Sequence, residues 1–119
     1  MSIPWNPSQR ERVTALIDAH PARSGECAVL ARGILPVARE RDGSAEGLLI
    51  RPRPGYGVYV VPRIGETTWY HHVAVGAENH VVDALTGVPG TPRPEYLLAH
   101  WEYADDLAVD PDDLADACL

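Results

Sequence analysis

The chain has no lysine: all ten of its cationic side chains are arginine. It has no phenylalanine, one methionine and only two cysteines among 119 residues. Each shortage narrows what the chain can be. Cys27 and Cys118 lie too far apart, and without C-x-x-C spacing, to suggest a structural zinc site. A disulfide between them is not expected in a cytosolic chain. No apolar run approaches the ~20 residues needed to cross a bilayer, so no membrane partner is expected. The opening Met-Ser-Ile-Pro-Trp-Asn-Pro lacks both the basic flank and the apolar centre of a signal peptide, and the chain reads as cytoplasmic as written. Positive charge is scarce too: the net charge is −7, the wrong sign for a phosphate backbone, which excludes nucleic acid as an expected partner. The missing lysines fit a GC-rich coding bias that favours Ala, Arg, Gly, Pro and Asp.

What is present is the material of one small globular domain. A hydrophobic fraction of 45% over 119 residues supports a single modest core. Gln9 to Ala19 reads as a first helix, with Ser8 as N-cap and Val13, Leu16 and Ile17 as its apolar stripe. His20-Pro21 ends it, because the residue before proline is pushed out of the helical region. A second helix is predicted from Ser24, with Cys27, Leu30, Ala31, Ile34 and Ala38 on one inward face. Gly33 and Pro36 predict a kink or break midway. After the polar stretch 39–46 the pattern turns to short β-rich runs at 48–51, 56–61, 68–75 and 80–85. Pro/Gly groups separate the first three, the pattern of an antiparallel meander. A loop follows over 87–94, then a third helix over 95–102 and a short terminal helix over 111–118. The expected class is α+β, a single domain over 1–119.

Three residue types in this layout carry chemistry. Cys27 falls in the first turn of the second helix, where the helix N-terminus favours the thiolate, the nucleophilic form. By itself a cysteine on an apolar helix face is more often a small buried hydrophobe. Its partners decide. If 68–75 and 80–85 form a hairpin, a loop of two residues (Ala77, Glu78) or four (76–79) pairs Val75 with His80 and so His72 with Asp83. Directly opposed side chains have Cβ atoms about 4.5–5.5 Å apart, within reach of an imidazole–carboxylate bond that fixes the tautomer. The same register leaves His71 opposite Ala84, unsupported. A slip of one residue would undo the pairing. Asp83 also reads as a turn former ahead of Gly87. A metal site built from His71, His72 and His80 is disfavoured, because adjacent strand histidines point to opposite faces and no H-x-x-x-H spacing occurs.

Gly25-Glu26-Cys27-Ala28-Val29-Leu30-Ala31, followed by Tyr70-His71-His72-Val73-Ala74-Val75 and Val82-Asp83-Ala84-Leu85-Thr86-Gly87, resembles the compact papain-fold domains of bacterial polymorphic toxins. In those domains a cysteine heads a helix, a histidine leads a short apolar strand and an aspartate ends the next. The resemblance covers about Ser24 to Gly87. It implies a papain-like fold with N-terminal helices packed on a small antiparallel sheet, and a thiol-dependent acyl-transfer enzyme: a cysteine peptidase, a deamidase or a transglutaminase-like protein. Cys27 would be the nucleophile, His72 the base with His71 as alternative, and Asp83 the orienting carboxylate. The glutamine that such sites use for the oxyanion has no clear counterpart. Gln9 is the chain's only glutamine and the leading oxyanion candidate, with Asn6 and His20 behind it. No metal or organic cofactor is expected. The implied partners are a protein substrate and an immunity protein, and the domain would be secreted or delivered as part of a larger toxin. The alternative is a non-catalytic papain-fold interaction module, partnered through the acidic residues Asp105, Asp106, Asp110, Asp112, Asp113 and Asp116.

Overall fold

A computed structural model describes residues 1–114. In chain order it has helix α1 (Pro7–Ala19), helix α2 (Cys27–Arg41), strand β1 (Glu46–Pro52), strand β2 (His72–Ala77), strand β3 (His80–Val82), strand β4 (Thr91–Pro92), the short helix α3 (Tyr96–His100) and strand β5 (Leu107–Asp112). The strands form one antiparallel sheet in the order β4-β3-β2-β1-β5. The described residues are thus an α+β domain of three α-helices and five strands.

α1 starts two residues earlier than a cap at Ser8 would give. Asn6 is the N-cap: its side chain accepts from the Gln9 backbone N–H at 2.8 Å, and the Gln9 side chain accepts from the Asn6 N–H at 3.0 Å. Pro7 sits at the first helical position, where its missing N–H costs nothing. α2 begins at Cys27 rather than Ser24. Residues Ala22–Ser24 form a single 3₁₀ turn, and Gly25 adopts a left-handed φ of 74° that turns the chain into the helix. Leu30, Ala31, Ile34 and Ala38 are buried as their spacing predicts, with Ala28 and Val37 beside them. Pro36 does not break the helix, which runs unbroken to Arg41. Gly33 is a packing residue. A Cβ there would meet Leu16 Cδ2 at 2.8 Å, so its absence sets the approach of α1 to α2.

The sheet is covered on both faces. On one face Val73, Val75, Ala77 and Val82 pack against α1 and α2. On the other, Leu48, Ile50, Ala74 and Val81 pack against Val60, Tyr96, Trp101 and Leu107. β2 is central and buried along its whole length. The connectivity differs from a simple meander. The run 56–61 is not a sheet strand; it contributes the isolated bridge Val60↔Trp69, and Pro62 bridges to Trp101. Gly/Pro content over 52–57 keeps that segment a covering loop, so β1 pairs directly with β2. The predicted helix over 111–118 is overturned where it can be seen, because Pro111 and Asp112 belong to β5, paired with Leu48 and Gly47. Its remainder, with Asp116 and Cys118, lies outside the described residues. No helix among the described residues is long and apolar enough to cross a membrane.

Candidate active site

The histidine and the carboxylate do meet, by a register other than the expected one. Ala77 pairs with His80 and Val75 with Val82, leaving Glu78 and Asn79 as a two-residue turn. Both have positive φ, 52° and 58°, as a type I′ hairpin requires. The register therefore differs by two residues from the pairing of Val75 with His80. A two-residue shift keeps every side chain on its face, whereas one residue would have reversed them. Asp83 becomes the diagonal neighbour of His72, and His72 Nε2 lies 2.9 Å from Asp83 Oδ2. Asp42 clamps the turn by accepting from the Glu78 N–H at 2.8 Å.

Asp83 is both the turn former and the orienting carboxylate. It follows β3, and its Oδ1 accepts from the backbone N–H groups of Leu85 and Thr86, each at 2.9 Å. Its Oδ2 accepts from His72 and from the Tyr96 hydroxyl. Burial alone would push this carboxyl up. The bonds and charge of His72, with the bonds from Tyr96 and Thr86, outweigh it and hold Asp83 below the usual carboxylate range. Tyr96 moves the other way: burial, then the Asp83 charge, push its hydroxyl well above the ordinary tyrosine range. It therefore stays a proton donor to Asp83.

Two tryptophans and Asp83 hold the His72 ring. Trp69 stacks on it at 5.4 Å with 17° between planes, and Trp101 lies tilted at 5.2 Å. With Nε2–H given to Asp83, Nδ1 carries the lone pair. Nδ1 is buried and has no hydrogen-bond partner. A buried imidazole nitrogen without a partner is costly in a purely structural histidine. His72 and Asp83 are only 3% and 2% exposed.

Cys27 opens the first turn of α2 and lines two adjoining hollows. One, over the α2–sheet seam, is lined by His20, Ala22, Cys27, His72 and Asp83 among others. The other is an open pocket of about 240 Å³ lined by Gly25, Cys27, Thr68, Trp69, Tyr70, His71 and His72. Both histidines thus border the cysteine's surroundings, but only His72 bonds to Asp83. The thiol itself is engaged: Cys27 is disulfide-bonded, contrary to the expectation of a free cysteine. Cys118, the only other cysteine in the chain, lies outside the described residues.

Gln9 lies elsewhere. Its side chain belongs to the capping box at the start of α1 and is buried there. His20, at the opposite end of α1, borders the cysteine instead. His80 gives its Nδ1–H to the Glu78 carbonyl at 2.7 Å and takes no part in the His72–Asp83 pair. Among the described residues no three His, Cys, Asp or Glu side chains converge as a metal set. Tyr96, Trp69 and Trp101 are the site residues that sequence reading missed. Tyr96 comes from a helix more than ten residues beyond Asp83, and no spacing rule connects them. Against known proteins, no family model, curated protein or solved structure matches this chain.

Proposed function

We propose that this domain is a papain-like thiol enzyme that transfers an acyl group from a protein amide, with Cys27 as nucleophile, His72 as base and Asp83 as orienting residue. The observation that carries this reading is the His72 ring: Nε2 tied to a buried carboxylate, Nδ1 buried without a partner, and the ring in the same hollow as Cys27. A base needs a lone pair that no other group occupies, and Nδ1 has one.

The chemistry starts from the reduced thiol, released from the disulfide by exchange with a thiol reductant. His72 Nδ1 takes the proton from Cys27 Sγ. The thiolate sits at the positive end of α2 and attacks the carbonyl carbon of an amide held in the 240 Å³ pocket. Collapse of the tetrahedral adduct breaks the C–N bond. The amine leaves with the proton from His72, and a thioester remains on Cys27. Water resolves the thioester in hydrolysis or deamidation; an amine resolves it in transamidation. As in the toxin domains this chain resembles, the partners would be a target protein and an immunity protein.

One observation favours a second reading. The disulfide at Cys27 suits a non-catalytic interaction module in which the cysteine is a structural half-cystine. The rate of alkylation of Cys27 by iodoacetamide after reduction, followed against pH, separates the two. In the acyl-transfer reading alkylation persists below pH 7, is lost in His72→Ala and survives in His71→Ala. An alkylation profile centred near the ~8.5 of a free thiol would leave the module as the better account.

A further inference from the structure

We propose that the hollow adjoining Tyr70 is a subsite for an arginine side chain, so that the substrate of Cys27 is a protein segment carrying arginine close to the reacting amide; this rests on the acyl-transfer reading above. The open pocket of about 240 Å³ at Cys27 does not end at the catalytic groups. Tyr70 and His71 line both that pocket and a second hollow of about 540 Å³. The two hollows therefore make one trough across Tyr70 and His71, the residues just before β2. A polypeptide whose amide lies at Cys27 can lay its neighbouring residues along that trough.

The larger hollow has two kinds of wall. One is apolar and aromatic: Val58 and Tyr70 line it, 62% and 66% exposed, and the Tyr59 ring packs on Tyr70 at 5.1 Å. Large apolar side chains left this open beside a pocket mark a contact surface. The other wall is charged. Arg51 comes from β1, Asp112 is the last residue of β5, and Asp113 follows it. Arg51 already faces a third carboxylate, its Nη2 lying 3.4 Å from Asp110 Oδ2. Two lining carboxylates against one shared guanidinium give the hollow the sign of the whole chain, whose net charge is −7.

Both walls favour the same guest. An acidic side chain would meet Asp112 and Asp113 with like charge. An aliphatic one would suit Val58 and Tyr70 but would desolvate the carboxylates without compensating them. A lysine ammonium answers the charge as a point, with no plane to lay on a ring. A guanidinium does both: it stacks on a tyrosine face and offers paired N–H donors to a carboxylate. Asp112 is held in place for this role, because its Oδ2 accepts from the Leu114 N–H at 2.9 Å.

Fluorescein-labelled pentapeptides built on Gly-Gly-Gln-Gly-Gly, with arginine placed in turn at each glycine, test the subsite by fluorescence anisotropy. The protein is the full chain carrying Cys27→Ser, which binds without turnover. Each peptide has a citrulline counterpart that keeps the shape and loses the charge. At one position at least, arginine is expected to bind about 3–30-fold tighter than citrulline. Asp112→Asn, which can still accept from the Leu114 N–H, should cut that preference by about 2–5-fold. Tyr70→Ala should cut it by a similar factor of about 2–5, and both variants should keep the parental urea midpoint. Equal binding of arginine and citrulline at every position, or no binding of any peptide, would overturn the subsite. So would an arginine preference that both variants retain in full. Acylation of the reduced Cys118→Ser protein by p-nitrophenyl acetate, read as the mass of acetylated Cys27, tests the acyl-transfer reading separately. Arginine-selective binding without acylation would remove that reading and keep the trough as a docking surface for arginine-bearing protein. Acylation without arginine selectivity would remove the subsite alone.

Discussion

His72 Nε2 and the Tyr96 hydroxyl converge on one atom, Oδ2 of Asp83. One carboxylate oxygen thus holds the candidate base and anchors α3, while the other oxygen closes the turn after β3. Asp83→Asn replaces an acceptor-only group with one that must present N–H to some of these partners. In the acyl-transfer reading, it is expected to lower the rate of Cys27 acylation by about 10²–10⁴-fold, the contribution of a well-placed base. Tyr96→Phe keeps the ring and removes one bond to a buried charge, at a cost of about 1.5–3 kcal/mol in urea unfolding. Unchanged unfolding in Tyr96→Phe would show that the bond contributes nothing to stability.

Acid should weaken the fold through the same carboxyl. The folded-state value of Asp83 is depressed, so between it and the unfolded value of about 3.9 the unfolded chain binds more protons. Stability from Asp83 is therefore complete above about pH 4 and is lost as pH falls through the folded value. Urea midpoints measured from pH 6 to pH 2 should fall less steeply in Asp83→Asn. Tyr96 predicts the mirror image. Its folded value is raised, so its contribution is complete below the unfolded value of about 10 and is lost as pH rises. Tyr96→Phe should therefore unfold less readily in alkali, relative to its own neutral stability. Equal slopes in parent and variant would refute either expectation.

Cys27 should be silent before reduction. Because it is disulfide-bonded, iodoacetamide is expected to leave it unmodified until a dithiol reductant is added. The chain has only two cysteines, so Cys118→Ser removes every intrachain partner and should give an alkylatable Cys27 without reductant. Mass spectrometry of the Cys27 peptide decides; a reactive thiol in unreduced parent protein contradicts the expectation.

Gly47→Ala tests the edge between β1 and β5. A Cβ at Gly47 would lie 2.4 Å from the Asp112 carbonyl oxygen and 2.5 Å from Leu114 Cγ. Backbone cannot yield as a side-chain end can, so the substitution should cost about 1–3 kcal/mol or more and loosen β5 first. Hydrogen exchange should show lost protection at 107–112 ahead of β2. Uniform loss of protection would argue against a local cause.

Asn6→Ala removes the cap of α1 and is expected to cost about 1 kcal/mol in thermal or urea unfolding. Ser8→Ala should cost little, which distinguishes the cap found in the structure from the one the local sequence suggests.

The helices were legible because their apolar spacing is a local property: Leu30, Ala31, Ile34 and Ala38 pack as their period demands. Their starts were less so. Asn6 and Ser8 are both good caps, and Pro7 at the first helical position makes Asn6 the one that works. The strands β1, β2 and β3 were found within a few residues, but the run 56–61 has strand composition without strand pairing, because its neighbours Pro52, Pro54, Gly55 and Gly57 bend it across the sheet face. β5 has no counterpart in the sequence reading over 107–110, and its last two residues, Pro111 and Asp112, fall in the expected terminal helix; long-range pairing to β1 decides their state. The His72–Asp83 pair was reached through a hairpin register that is off by two, and it holds because the error was even. Tyr96, Trp69 and Trp101 around that pair come together only in three dimensions, and no local signal announces them.

The pairing of β1 with β5 has a consequence for how the chain comes together. Gly47 finds its partner Asp112 65 residues later, so β1 must wait through nearly the whole intervening sequence for its outer neighbour. During synthesis the β1 edge, with Leu48 and Ile50 on the face that Trp101 and Leu107 later cover, stands open while the rest of the sheet can already form. The period of greatest exposure to mispairing is the interval between the emergence of β3 and that of β5, and a pause there would favour aggregation over folding.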